Sequence, residues 1–187
     1  MLGLILAGGE SKRMGGDKAL VEIAGSPMID WVVRALEDVC GRVLIAGRPG
    51  GWQGRVGLAD ETTVKGPLAG LTPALQLGEP VMLVAVDQPW VRTATLMKLA
   101  EIGATAVPDH HDVRQVTCAC YYPDLASVAR EEAETGGSLQ SLLDRVRPLE
   151  ITEPVWNAWG EDGRSWFSVD RREDIEIGLT RFGPPGS

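Results

Sequence analysis

Apolar positions in this chain follow two rhythms. Compact runs suited to buried strands fall at residues 2–7, 43–46, 81–86 and 104–107, and the segments between them repeat their apolar positions at helical spacing. The run VMLVAV at residues 81–86 is unbroken, as expected of a central parallel strand covered on both faces. Residues 27–39 carry Met28, Ile29, Val32, Val33, Leu36 and Val39 on one helical face, after a turn at Gly25-Ser26-Pro27. Short extended segments are expected at residues 20–23, 56–60, 115–121, 149–151 and 166–169. Further helices are expected at residues 66–77, 95–102, 125–135, 139–146 and 172–182, with Pro67 in the first turn of its helix, where a missing N–H costs nothing.

Strands alternating with helices imply a three-layer α/β/α sandwich around a Rossmann-like, mostly parallel sheet. Residues 103–170 are less regular, which points to antiparallel strands inserted there. The chain shows no internal repeat and no linker long enough to divide it, so residues 1–182 are read as one domain, with a frayed tail at 183–187.

Composition narrows the function classes. At 187 residues the chain can build a real core, and 44% hydrophobic with 24% charged residues is ordinary for a soluble globular protein. A net charge of -8 argues against general binding to nucleic acid or to anionic membranes, both of which need a basic face. No apolar run approaches a membrane span, and Met1 leads almost directly into the first strand without a cationic leader, so the cytoplasm is the expected compartment. The three cysteines suggest no disulfide framework: Cys118 and Cys120 share a strand face, Cys40 is remote in sequence, and all three read as buried small residues.

Candidate chemistry begins where the first strand ends. Gly8 and Gly9 open a polar loop holding Ser11, Lys12, Arg13, Gly15 and Gly16, and Lys18 follows it. Glycines allow backbone N–H groups to approach an anion and the cations neutralise it, which suits phosphate. The spacing is neither G-x-x-x-x-G-K-[ST] nor G-x-G-x-x-G. Three aspartates also fall at expected strand ends, where open parallel sheets bind ligands: Asp60, Asp87 and Asp170. Asp87 ends a fully apolar strand and reads either as a Mg²⁺ ligand or as a helix N-cap ahead of Pro89 and Trp90. Asp170 has the same two readings, with Glu173 placed to complete a capping box.

The opening string resembles that of the molybdenum cofactor guanylyltransferase family, roughly L-A-G-G-x-S-x-R-M-G-x-D-K. Leu6, Ala7, Gly8, Gly9, Ser11, Arg13, Met14, Gly15, Asp17 and Lys18 all match. Later segments follow in order. Asp60 with Gly66-Pro67-Leu68-Ala69-Gly70 is similar to the family's second motif, Asp87-Gln88-Pro89 to its D-x-P, and Trp166-Phe167-Ser168-Val169-Asp170 to its closing F-x-N-V-N-T-P. Arg114-Gln115 and the strand after them resemble a family strand near the bound substrate. The resemblance implies a fold of the nucleotide-diphospho-sugar transferase type, with a nucleotide-binding part at about residues 1–102 and an acceptor-binding part at about 103–182.

It further implies transfer of GMP from GTP to the phosphate of molybdopterin, with Mg²⁺ as cofactor and pyrophosphate released. Arg13, Lys18 and Asp87 are the implied catalytic residues. Leu6, Ala7, Gly8, Gly9, Lys18, Gly47, Asp60 and Gly70 are the implied nucleotide-binding residues, and Asp87 and Asp170 the metal ligands. The implied partners are GTP, molybdopterin or its molybdate form, and molybdoenzyme maturation proteins, with no nucleic acid and no membrane.

This chain departs from the family at several positions. Asp170 and Arg171 stand where asparagine and threonine are usual, Gly47-Arg48 where many members place an asparagine, and Val64 in place of a glycine. These changes keep three alternatives open: a cytidylyltransferase for the same cofactor, a guanylyltransferase for another phosphorylated small molecule, and a nucleotide-binding regulator without catalysis. Intact Arg13, Lys18 and Asp87 speak against the last. His110-His111 beside Asp109 and Asp112 reads as a polar loop rather than a metal site, and Trp156, Trp159 and Trp166 as packing residues rather than a pterin stack.

Overall fold

A computed structural model describes residues 1–8, 16–58 and 66–186. In chain order the strands and helices are β1 (Leu2–Leu6), β2 (Glu22–Ile23), β3 (Ser26–Pro27), α1 (Met28–Glu37), β4 (Arg42–Ala46), β5 (Gly57–Leu58), α2 (Pro67–Leu75), β6 (Val81–Ala85) and α3 (Thr93–Glu101). The second half adds β7 (Ala106–His110), β8 (Val113–Arg114), β9 (Cys118–Tyr121), α4 (Ala126–Glu134), α5 (Leu139–Val146), β10 (Leu149–Ile151), α6 (Glu153–Ala158) and α7 (Arg172–Phe182). The sheet runs β10-β7-β9-β6-β1-β4-β5, with β8 paired to β7. β9 is antiparallel to both β6 and β7, β8 is antiparallel to β7, and the other pairs in this sheet are parallel.

Burial explains why β6 is central. Val81 and Leu83 face a cluster with Leu68, Leu71 and Leu75 of α2 and Ala129 of α4. Met82 and Val84 face the opposite cluster, with Ile29, Val32, Leu36, Leu96 and Leu99 of α1 and α3. A strand covered on both faces leaves no position for a polar side chain until it ends, so its first available carboxylate is Asp87. Cys118 and Cys120 lie on one face of β9 and are buried with Cys40, as the C-A-C spacing predicts, and burial pushes the Cys40 thiol up to about 11.

Several local expectations are corrected. Residues 115–121 are not one strand: a turn separates β8 from β9, closed by the hydrogen bond from the Cys118 N–H to the Gln115 carbonyl. Of the extended segment expected at residues 20–23, Glu22–Ile23 forms β2, while Leu20 ends a 3₁₀ turn, Lys18–Leu20. Helix α6 was not anticipated; it is short, and its signal was Pro154 at the start of a helix. Residues 166–169 are not a strand. Arg164–Trp166 forms a 3₁₀ turn, and the chain beyond it crosses the end of β6, where the Val169 N–H donates to the Asp87 carbonyl at 2.8 Å. At the carboxyl end Pro185 is buried, Gly183 O accepts from Trp90 Nε1 at 2.8 Å, and Gly186 lies against Trp31.

The segment that crosses β6 is anchored by a buried carboxylate. Glu161 is 2% exposed. It accepts from the backbone N–H groups of Asp162, Gly163 and Ser165 and from the hydroxyls of Thr95 and Ser165. These donors replace the water that an ionised carboxylate needs. Replacing Glu161 by Leu leaves three backbone N–H groups without their acceptor, and we expect about 3 kcal/mol or more of lost stability in urea unfolding; a loss under 1 kcal/mol would show that the anchor is not required.

Candidate active site

The site lies at the carboxyl ends of β1, β4 and β6. Backbone bonds carry the strand register past the strands themselves: the Ala7 N–H donates to Ala46 O at 2.9 Å and the Val86 N–H to Leu6 O at 3.0 Å. The loops that follow β1 and β4 therefore leave side by side. Gly47 has φ +75°, and a Cβ built on it would stand 2.3 Å from the Gly8 Cα. Only a glycine permits that conformation and that contact together. Ala7, Gly8, Asp17, Gly47, Arg48, Pro49, Gly50 and Gly51 line the resulting open groove.

Asp17 and Arg48 are site residues that the sequence reading did not select. Asp17 caps the Lys18–Leu20 turn, accepting from the Ala19 N–H at 3.1 Å, and its other oxygen pairs with Arg48 Nη1. Arg48 also lies over the Trp52 ring, and Trp52 Nε1 donates to Asp30. This chain of contacts ties the base of Lys18 to the β4–β5 loop. The advance signals were Asp17's place in the opening string and an arginine directly after a glycine at a strand end.

Lys18 is the meeting point. Its Nζ donates to Asp87 Oδ2 at 2.8 Å and to Asp170 Oδ1 at 2.8 Å. Burial works against the ammonium, yet the hydrogen bonds and charges of Asp170 and Asp87 outweigh it and hold the Lys18 pKa above the ordinary lysine value. Lys18 is therefore cationic at neutral pH.

Neither aspartate caps a helix. α3 starts at Thr93 behind Arg92, well beyond Asp87. At α7 the N-cap is Arg171, and Asp174, not Glu173, accepts the N–H groups of Asp170 and Arg171 at 2.8 and 2.7 Å. The Asp170 carboxylate is thereby left free to face Lys18. Gln88, 3% exposed, holds the turn below Asp87, accepting from the Ala85 N–H at 3.2 Å and donating to Thr117 Oγ1 at 3.3 Å.

The remaining expected residues are placed as follows. Leu6 ends β1 and is half-buried. Gly70 is buried in α2, and a Cβ there would meet Ala46 Cβ at 2.5 Å, so its part is to seat α2 against the sheet. Gly9, Arg13 and Asp60 lie outside the described residues. His110 ends β7, while His111 and Asp112 form the left-handed turn into β8, with φ of 54° and 60°. Among the described residues no group of three or more His, Cys, Asp or Glu could hold a metal ion. Asp87 and Asp170 could hold a metal: carboxylate oxygens suit Mg²⁺ when phosphate oxygens and water complete the shell.

A mostly parallel sheet whose strand ends present a glycine-backed groove, a lysine and two convergent aspartates has the arrangement that nucleotidyl transfer asks for. Residues 3–150 match the MobA-like NTP transferase domain, and the chain belongs to that family. It is 30% identical over 188 residues to a probable molybdenum cofactor guanylyltransferase of Bacillus licheniformis, covering 92% of this chain and 93% of that one. It is 35% identical over 182 residues to another of that description from Pelotomaculum thermopropionicum, covering 92% and 89%. The fold matches the crystal structure of molybdopterin-guanine dinucleotide biosynthesis protein A from Archaeoglobus fulgidus, with a TM-score of 0.81, 20% identity and coverage of 95% and 96%. Among the described residues no helix is long and apolar enough to cross a membrane.

Two outcomes are expected. Gly47→Ala should push the Gly8 loop away, lowering the melting temperature through backbone strain and weakening nucleotide binding to the folded protein about tenfold or more in calorimetry; unchanged affinity would remove the Gly8–Gly47 contact from the site. His110 has its pKa lowered, first by burial and then by the His111 charge. Its neutral form is therefore favoured in the fold, and the protein should lose stability as pH falls below the ordinary histidine value of about 6.5. Urea midpoints at pH 7.5 and 5.5 should differ less in His110→Gln than in the parent protein; an equal difference refutes the assignment.

Proposed function

We propose that this protein transfers GMP from GTP to the phosphate of molybdopterin and releases pyrophosphate, with Mg²⁺ as cofactor. The observation that carries the reading is the convergence of Asp87 and Asp170 on one cation position beside the Gly8–Gly47 groove. The guanylyltransferase relatives support the choice of guanine and of the acceptor. Asp87 and Asp170 would hold the metal, which when bound supplies positive charge to the triphosphate.

In the transfer, an acceptor phosphate oxygen bonds to the α-phosphorus of GTP and the bond from that phosphorus to the bridging oxygen breaks, so pyrophosphate leaves with the electron pair. Such a reaction asks the protein for position and charge rather than for covalent chemistry. The backbone at Gly8 and Gly47 admits the nucleotide closely. Lys18 neutralises charge that builds on the departing pyrophosphate, and Arg48 adds a second cation at the groove wall. Gly9 and Arg13 keep their roles on the triphosphate, and Asp60 its role on the nucleoside, on the family resemblance. Residues 103–182 supply the acceptor side. Three buried free cysteines suit a reducing compartment, the cytoplasm.

CTP is the second reading, favoured by a carboxylate at position 170. Calorimetry with GTP and CTP separates the two, and tighter CTP binding would overturn the guanine assignment. Asp87→Ala should lower pyrophosphate release, measured with molybdopterin supplied, by about a hundredfold or more while circular dichroism stays native. Retained turnover would remove Asp87 from the mechanism.

A further inference from the structure

Two carboxylates at the end of an apolar strand repel one another, and here one ammonium reconciles them. Lys18 Nζ is 2.8 Å from one oxygen of Asp87 and 2.8 Å from one oxygen of Asp170. A divalent ion held by the same two oxygens needs the volume that this ammonium fills. We infer, resting on the assignment of Asp87 and Asp170 as metal ligands, that Lys18 is a placeholder: its ammonium occupies the metal position in the nucleotide-free protein and vacates it for phosphate oxygens when nucleotide binds.

Charge supports the exchange. The two aspartates and Lys18 sum to one negative charge. A divalent ion added without nucleotide would have to sit beside the lysine, with a net positive charge in a partly desolvated site. A nucleoside triphosphate brings several negative charges and gives Lys18 another partner. The anatomy of Lys18 allows the move. Its backbone is fixed by the Asp17 cap and by the Asp17–Arg48 bridge, while its ammonium hangs on a flexible four-carbon stem. The far side of the bridge is open, since the Asp170 side chain is 63% exposed against 25% for Asp87.

Metal and nucleotide binding are therefore coupled through Lys18, each strengthening the other by the same factor. In the free protein Lys18 competes with the ion, whereas in the complex it cooperates with it. A lysine that only contacts phosphate has no effect on metal binding in the absence of nucleotide.

The test is titration of Mn²⁺ into nucleotide-free protein, followed by electron paramagnetic resonance. Lys18→Met should bind Mn²⁺ about tenfold or more tighter than the parent, because removing a unit charge at hydrogen-bond distance from two carboxylates exceeds the tenfold threshold even with strong solvent screening. A non-hydrolysable GTP analogue should tighten Mn²⁺ binding strongly in the parent and much less in Lys18→Met. Lys18→Gln is carried alongside, with thermal melts of both, so that one folded variant is in hand.

If folded Lys18 variants bind Mn²⁺ no tighter than the parent while Asp87→Asn weakens binding, the metal assignment stands and the placeholder is overturned. If Asp87→Asn and Asp170→Asn leave Mn²⁺ binding unchanged in every background, the metal assignment itself fails and the placeholder falls with it.

Discussion

A single cation between two carboxylates is the constraint around which this molecule is arranged. β6 is sealed on both faces and delivers Asp87 at its end, while the chain after α6 crosses that end and delivers Asp170. Without Lys18 the two negative charges would face one another uncompensated. The backbone bond from Val169 to Asp87 fixes the approach, and Lys18 makes it electrostatically tolerable.

The supporting parts lie some way from the site. Asp174 accepts the N–H groups of Asp170 and Arg171 and frees the Asp170 carboxylate from capping duty. Gln88 braces the turn beneath Asp87, and Glu161 gathers the loop before the crossing segment. Trp90 packs against Phe167, and a Cβ on Gly178 of α7 would stand 2.3 Å from the Trp90 ring. The terminal helix is thereby held against the residues that follow Asp87. Each of these groups bears on the geometry of the two carboxylates.

Much of this was legible in the amino-acid sequence because it is local. The residues of α5, β10 and α7 fall where their patterns place them, and the unbroken run of β6 announced a strand buried on both faces. Asp87, just past the end of β6, was visible for the same reason, whereas Asp170 follows a crossing segment rather than the strand expected there. What was hidden is long-range. Nothing within residues 115–121 says that β9 will insert between β6 and β7, and nothing near Lys18 says which acids it will reach across 69 and 152 positions of chain. Residues 166–169 are mostly apolar and strand-like, yet they run across strand ends, where the Val169 N–H meets the Asp87 carbonyl just beyond β6. The Asp17–Arg48 pair likewise joins two loops that look unrelated in sequence.

The position of β9 has a consequence for how the chain can be divided. A cut near residue 102 falls between the segments expected to hold nucleotide and acceptor, yet β9 covers one whole edge of β6, from Val81 paired with Tyr121 to Val84 paired with Cys118. An amino-terminal fragment would present its most apolar strand as a bare edge, an invitation to intermolecular sheet growth and aggregation. The two segments therefore cannot be shuffled as independent modules. Residues 103–182 are open to variation by substitution and loop change around β9 rather than by exchange as a unit.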